Sequence, residues 1–159
     1  MKRWLAPIAV IAALAAGTGP AVAASAKPGP VGTDPFYVNC ADFQLKAQLS
    51  GKAGTIVLPG GRFTFTGPNL RITFTNEKTG ETASYVITGA THVTVLDDGT
   101  QLVTATGLNT ILVPEANGHP AGVYFTRGTM NWVLDKNNQE VGDKFTGSGK
   151  VTDVCALLA

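Results

Sequence analysis

The chain is poor in charge and in the side chains that catalysis most often uses. Asp, Glu, Lys and Arg make up 14% of it, and it has two histidines and two cysteines. A zinc site needs three or four His, Cys, Asp or Glu ligands at defined spacing. No such spacing occurs, so no metal and no other cofactor is expected. Among the serines Ser25, Ser50, Ser84 and Ser148, only the last sits in a glycine-rich run. Thr146 stands there where a nucleophile elbow needs its first glycine. No phosphate-cradling glycine loop is present, because Pro59-Gly60-Gly61 lies between strand patterns with no helix following. Lys and Arg are scattered singly along the chain, so nucleic acid, other polyanions and anionic membranes have no compositional support as partners.

Long apolar runs are also missing, with one exception. Lys2 and Arg3 precede the run Leu5–Ala16, Gly17–Pro20 breaks it, and Ala21-Val22-Ala23 supplies small residues at a cleavage position. This three-part pattern predicts a secretory signal peptide over 1–23. The run is shorter than the roughly 20 residues a spanning helix requires. No transmembrane anchor is therefore expected in the mature chain, and the protein is read as secreted. Residues 24–35, rich in Ala, Pro and Gly, read as a flexible leader. The remainder, 36–159, is one domain's length of chain.

What that domain does have is period-two alternation. Residues 62–66 place Phe63 and Phe65 on one face, with Arg62, Thr64 and Thr66 on the other. Residues 70–75 repeat this with Leu70, Ile72 and Phe74. Alternation of this kind marks half-buried antiparallel strands. Further strands are expected over 54–59, 83–88, 91–96, 101–106, 109–114, 122–126, 129–135 and 149–155, all rich in Thr, Val, Ile and aromatics. Gly80 and Gly99 fall where hairpin loops need a positive φ, and 134–140 is a polar turn. Residues 39–50 fit a helix or a strand equally. The expectation is an all-β domain of about eight to ten short antiparallel strands, a barrel or a sandwich.

In an exported chain two cysteines permit a single internal pairing. Cys40–Cys155 would join the N- and C-terminal regions, worth up to about 4–5 kcal/mol on the loop-entropy model. A prenyl signal is excluded, since Cys155 is one position too early. Leu157 and Leu158 then read as the apolar end of the last strand.

Candidates for chemistry are thin. His92 lies on the polar face of its strand, with Asp97 and Asp98 in the next turn, and His119 lies in a loop. Glu77, Glu81 and Glu115 are further turn or loop carboxylates of the kind a glycosidase pair would use. Met130, Trp132, Tyr124 and Phe125 are possible ligand-lining residues: Met130 and Trp132 share a face, whereas Tyr124 and Phe125 point oppositely.

At "LPGGRFTFTGPNLRITFTN", "TGLNTILVPE" and "GKVTDVCALLA" the chain resembles a group of small secreted β-rich proteins of actinobacteria with no assigned activity. The resemblance implies secretion and a β-rich fold, and carries over no catalytic residue. The leading expectation is a non-catalytic extracellular binding or surface domain with an unknown partner. A barrel carrying a small apolar ligand and a carboxylate-based hydrolase are the alternatives.

Overall fold

A computed structural model describes residues 24–25, 27–115 and 120–159. The expected signal peptide and His119 lie outside the described residues. The strands, in chain order, are β1 (Ala24–Ser25), β2 (Gly29–Pro30), β3 (Phe36–Asn39), β4 (Gln44–Ser50), β5 (Lys52–Leu58) and β6 (Arg62–Thr66). They continue with β7 (Arg71–Asn76), β8 (Thr82–Val86), β9 (Ala90–Val95), β10 (Gln101–Val113), β11 (Gly122–Leu134) and β12 (Glu140–Asp153). One short helix, α1 (Val154–Leu157), follows.

The strands form two sheets, and every pairing is antiparallel. The larger has the order β1-β5-β6-β9-β10-β11-β12, with β2 also on β5; the smaller has the order β3-β4-β7-β8. The chain visits the sheets alternately: β3–β4 in the small one, β5–β6 in the large, β7–β8 in the small, then β9–β12 in the large. The result is an all-β fold of two sheets that, among the described residues, do not close into a barrel. Of residues 39–50, open to either period, Gln44–Ser50 extends as β4, since Leu45, Ala47 and Leu49 alternate toward the core. Within the segment read as a flexible leader, 24–25 and 29–30 pair with β5 as short edge strands.

The small sheet packs its apolar face on the large one. Leu45, Ala47, Ile72 and Phe74 meet Val123 of β11, together with Val154 and Leu158 from the chain end. Tyr85 of β8 stacks on Phe125 with ring centroids 4.4 Å apart. Phe74, Leu45, Val123 and Val154 are fully buried. Each such side chain contributes about 1.5–3 kcal/mol by leaving water. Cys40 and Cys155 are disulfide-bonded across this core, with their Cα atoms 5.7 Å apart.

The chain end departs from expectation. The last strand stops at Asp153, whose carboxylate accepts a hydrogen bond from the Ala156 amide at 3.0 Å and so caps a helical turn. Helical spacing separates the two leucines: Leu158 is buried and Leu157 is 56% exposed. Asn76, itself buried, donates from Nδ2 to the Leu158 carbonyl at 2.6 Å and ties this turn to β7.

A second difference concerns strand length. The segments expected as separate strands at 101–106 and 109–114 form one strand of 13 residues, and 122–126 and 129–135 form another. Gly107, Gly128 and Gly149 lie opposite one another across β10, β11 and β12. Gly107 and Gly128 have positive φ, 81° and 118°. At Gly128 a Cβ would fall 2.5 Å from the Ser148 carbonyl oxygen. Glycine here lets three adjacent strands pass through an irregular conformation without ending. The break read from sequence is a crease across a continuous sheet.

Candidate ligand-binding face

In an antiparallel sheet, directly paired residues share a face. The register therefore assigns the side chains of β9–β12. One face carries Val93, Val103, Ala105, Met130, Ile111 and Tyr124, all buried. Ile111, Val113, Tyr124 and Met130 form a second apolar cluster, with Trp132 and Phe145 packed against it. The Tyr124 and Phe145 rings meet edge to face at 5.3 Å. Of the four possible lining residues, Met130, Trp132 and Tyr124 thus sit together. Phe125 lies on the opposite face against Tyr85, in the other core.

The opposite face of the same strands is covered by the small sheet at Val123 and Phe125, and toward the β11–β12 turn it is open and ordered in rows. One row runs Thr94, Leu102, Val133, Val141 across β9 to β12. Leu102 and Val141 are 44% and 48% exposed. The next row runs Thr64, His92, Thr104, Asn131, Thr146 from β6 to β12. Thr104 Oγ1 donates to Asn131 Oδ1 at 2.8 Å, and Thr64 Oγ1 lies 3.0 Å from His92 Nδ1. The third row holds Thr66, Ala90, Thr106, Thr129 and Ser148. Beyond the crease, Arg127 of β11 lies directly opposite Lys150 of β12.

A groove of about 470 Å3 opens on this face. Its walls include the apolar Leu102, Val133 and Val141, the polar Thr104, Asn131 and Thr146, and Asp143. Val103 and Trp132, whose side chains belong to the opposite face, also border it. The combination is an apolar floor beside hydroxyl and amide groups on a hydrogen-bonded scaffold, which is how many sites orient a ligand. Asp143 is the lining carboxylate among the described residues, so the groove does not bring two acids together.

The other candidates fall elsewhere. His92 is exposed and bonded to Thr64, away from any carboxylate partner among the described residues. Asp98 is spent on its own turn: its Oδ1 accepts from the Thr100 amide at 2.8 Å, which holds its carboxyl below the usual range. Asp135 does the same in the β11–β12 turn, accepting from the Asn137 and Gln139 amides at 2.7 and 2.9 Å. Hydrogen bonds from Gln139 first, then Asn137, lower its pKa. Glu77, Glu81, Asp97 and Glu115 are exposed. Ser84 shares a hydrogen bond with Thr73 on the outer side of the small sheet, and Ser50 and Ser148 are exposed. Among the described residues no group of three or more His, Cys, Asp or Glu is placed to hold a metal ion. No helix among them is long and apolar enough to cross a membrane.

Sequence reasoning missed Asn131, Thr104, Thr146, Val141 and the Arg127–Lys150 pair. Alternation alone shows that Asn131 and Thr104 leave the buried face. Only the strand register shows that they adjoin.

The fold and this face define an all-β, two-sheet domain with an open, groove-bearing sheet surface. No family model matches the chain, and no curated protein or solved structure matches it either.

Proposed function

We propose that the chain is a secreted, non-catalytic binding domain that holds its partner on the open face of β10–β12. The observation that carries this reading is the groove. Its exposed apolar residues Leu102 and Val141 stand beside Thr104, Asn131 and Thr146, all mounted on paired strands. Surface Leu and Val lose contact with water when covered, and the adjoining polar groups set orientation. Export is supported by the tripartite N-terminus, by the resemblance to secreted actinobacterial proteins, and by a disulfide of the kind oxidising compartments maintain.

The carrier alternative draws on the apolar cluster of Met130, Tyr124, Ile111 and Val113. These side chains are buried against one another, so a guest would have to displace them. The hydrolase alternative needs two acids in one cleft, and Asp143 lines the groove without a second.

Two measurements test the proposal. Residues 1–23 fused to a reporter enzyme should export it, with the natural chain beginning at Ala24 in the culture medium; retention in the cytoplasm would overturn secretion. Backbone amide shifts, recorded while saccharides and peptides are added in turn, should move at Leu102, Asn131, Val133 and Val141. Changes confined to Met130 and Tyr124 would favour the carrier instead.

A further inference from the structure

Arg127 and Lys150 face each other on adjacent strands, both exposed, on the same side as the groove. Like charges directly opposite one another in a sheet are destabilising. Among the described residues no carboxylate pairs with either. Thr129 and Ser148 form the next rung toward the groove, followed by Asn131 and Thr146. The face is therefore a strip that begins at an uncompensated cationic pair, continues through hydroxyl and amide side chains, and ends at the groove, where Asp143 stands beside the apolar Leu102, Val133 and Val141. From the Arg127 rung to the Val133 rung it runs about 20 Å at the extended rise per residue.

We propose that this strip binds an acidic polysaccharide, with the Arg127 guanidinium and Lys150 ammonium holding its carboxylate or sulfate groups. The inference rests on the binding-face reading above and names its ligand class. Three features point the same way. A guanidinium offers a planar fork that matches an oxyanion, and an adjacent ammonium adds a second positive charge. Threonine, serine and asparagine side chains donate and accept hydrogen bonds, as sugar hydroxyls do. An open strip that a few consecutive sugar units can follow suits a polymer better than a small anion, which would need an enclosing pocket. A membrane surface is disfavoured because the cations are two and the rungs beside them are hydroxylic, without aromatic anchors. Nucleic acid shares the negative charge, and it is kept as an outcome of the test.

The experiment is affinity electrophoresis of the disulfide-bonded chain from Ala24 onward in gels containing polygalacturonate, dextran sulfate, neutral dextran or a DNA duplex. The wild type should be retarded by polygalacturonate or dextran sulfate, and the acid that retards it more identifies the oxyanion. Neutral dextran and DNA should retard it much less. Arg127→Gln/Lys150→Gln should weaken retention by roughly tenfold or more, and Arg127→Lys, which keeps the charge and loses the fork, should weaken it less. Salt should weaken wild-type retention as screening sets in. The double variant relieves a like-charge pair, so its Tm should equal or exceed that of the wild type, which separates lost binding from lost folding.

Equal retention by neutral dextran, equal or stronger retention by DNA, absence of retention in every gel, or an unchanged Arg127→Gln/Lys150→Gln variant would each overturn the proposal. An Asn131→Ala/Val141→Ala variant separates it from the groove reading. If that variant alone loses binding, the groove stands and the cationic pair falls. If only the cationic variant loses binding, the pair stands and the groove falls.

Discussion

Buried amides and turn carboxylates hold the connections of this molecule in place. Asn76 shows how much one side chain can do. Its Nδ2 donates to the Leu158 carbonyl, while its Oδ1 accepts from the Lys78 amide at 2.8 Å and the Thr79 amide at 3.4 Å. It thus shapes the β7–β8 turn and anchors the chain end in the same position. Asp98 and Asp135 do comparable work on the surface, each accepting from backbone amides of its own turn. Both carboxyls are held below their ordinary pKa, so both favour the folded state when ionised. A depressed folded pKa contributes stability that is present above the unfolded value near 4 and is lost as pH falls through the folded pKa. Urea unfolding of an Asp98→Ala/Asp135→Ala variant should therefore give a lower midpoint than wild type at pH 7. The gap between the two should narrow as pH drops from about 5 to about 2. A constant gap across that window would show that hydrogen bonding to the ionised form is not the cause. The sequence marked both turns, Asp98 by the glycine that follows it and Asp135 by the polar run 134–140. Asn76 gave no comparable signal, since its partner lies at the far end of the chain.

At the scale of the element, alternation was legible and continuity was not. Phe63 and Phe65 share a face and meet edge to face at 5.3 Å, and Ile72 and Phe74 are buried, as their spacing implied. The hairpin turns at Gly80 and Gly99 have the positive φ their positions called for, 77° and 87°. Gly107 and Gly128 carry the same local signature, yet no turn forms at either. Each is flanked by residues whose backbone groups find partners across the sheet, so the strand continues through the irregularity. Glycine at a turn and glycine at a crease look alike until the neighbouring strands are known. Their substitution costs should differ accordingly. Gly80→Ala meets no atom within 4 Å and bears only the cost of its φ. Gly128→Ala adds a collision, with Ser148 O at 2.5 Å and Gly149 Cα at 2.8 Å. Denaturant unfolding should show a loss of about 1 kcal/mol for Gly80→Ala and about 1–3 kcal/mol for Gly128→Ala. The reverse order would mean that the crease relaxes freely. The helical turn at Val154–Leu157 was likewise hidden, because a strand pattern ran up to Asp153 and four residues are too few to show a period.

For the whole molecule, the clasp and the sheet order matter most. Cys40 and Cys155 are separated by 115 positions, and their bond joins the turn after β3 to α1 beside a core shared by both sheets. Alkylation without reductant should add no mass to the native chain, since no free cysteine is present. Cys40→Ser/Cys155→Ser should lower unfolding free energy by about 2–4 kcal/mol, chiefly by releasing the unfolded chain. A smaller loss would mean that Val154, Leu158 and the Asn76 bond hold the end in place unaided. Alternation, turn residues and a cysteine count of two suffice to define an all-β domain with a single clasp, because those signals act over a few residues or admit one solution. Which strand lies beside which is another matter. Alternation specifies a face and leaves the neighbour open, so the pairing of β6 with β9 and of β4 with β7 is decided by how the two sheets bury their apolar sides together. The candidate face inherits that dependence. Arg127 and Lys150 are single, unremarkable cations in the chain, and the register of β11 on β12 makes them a pair.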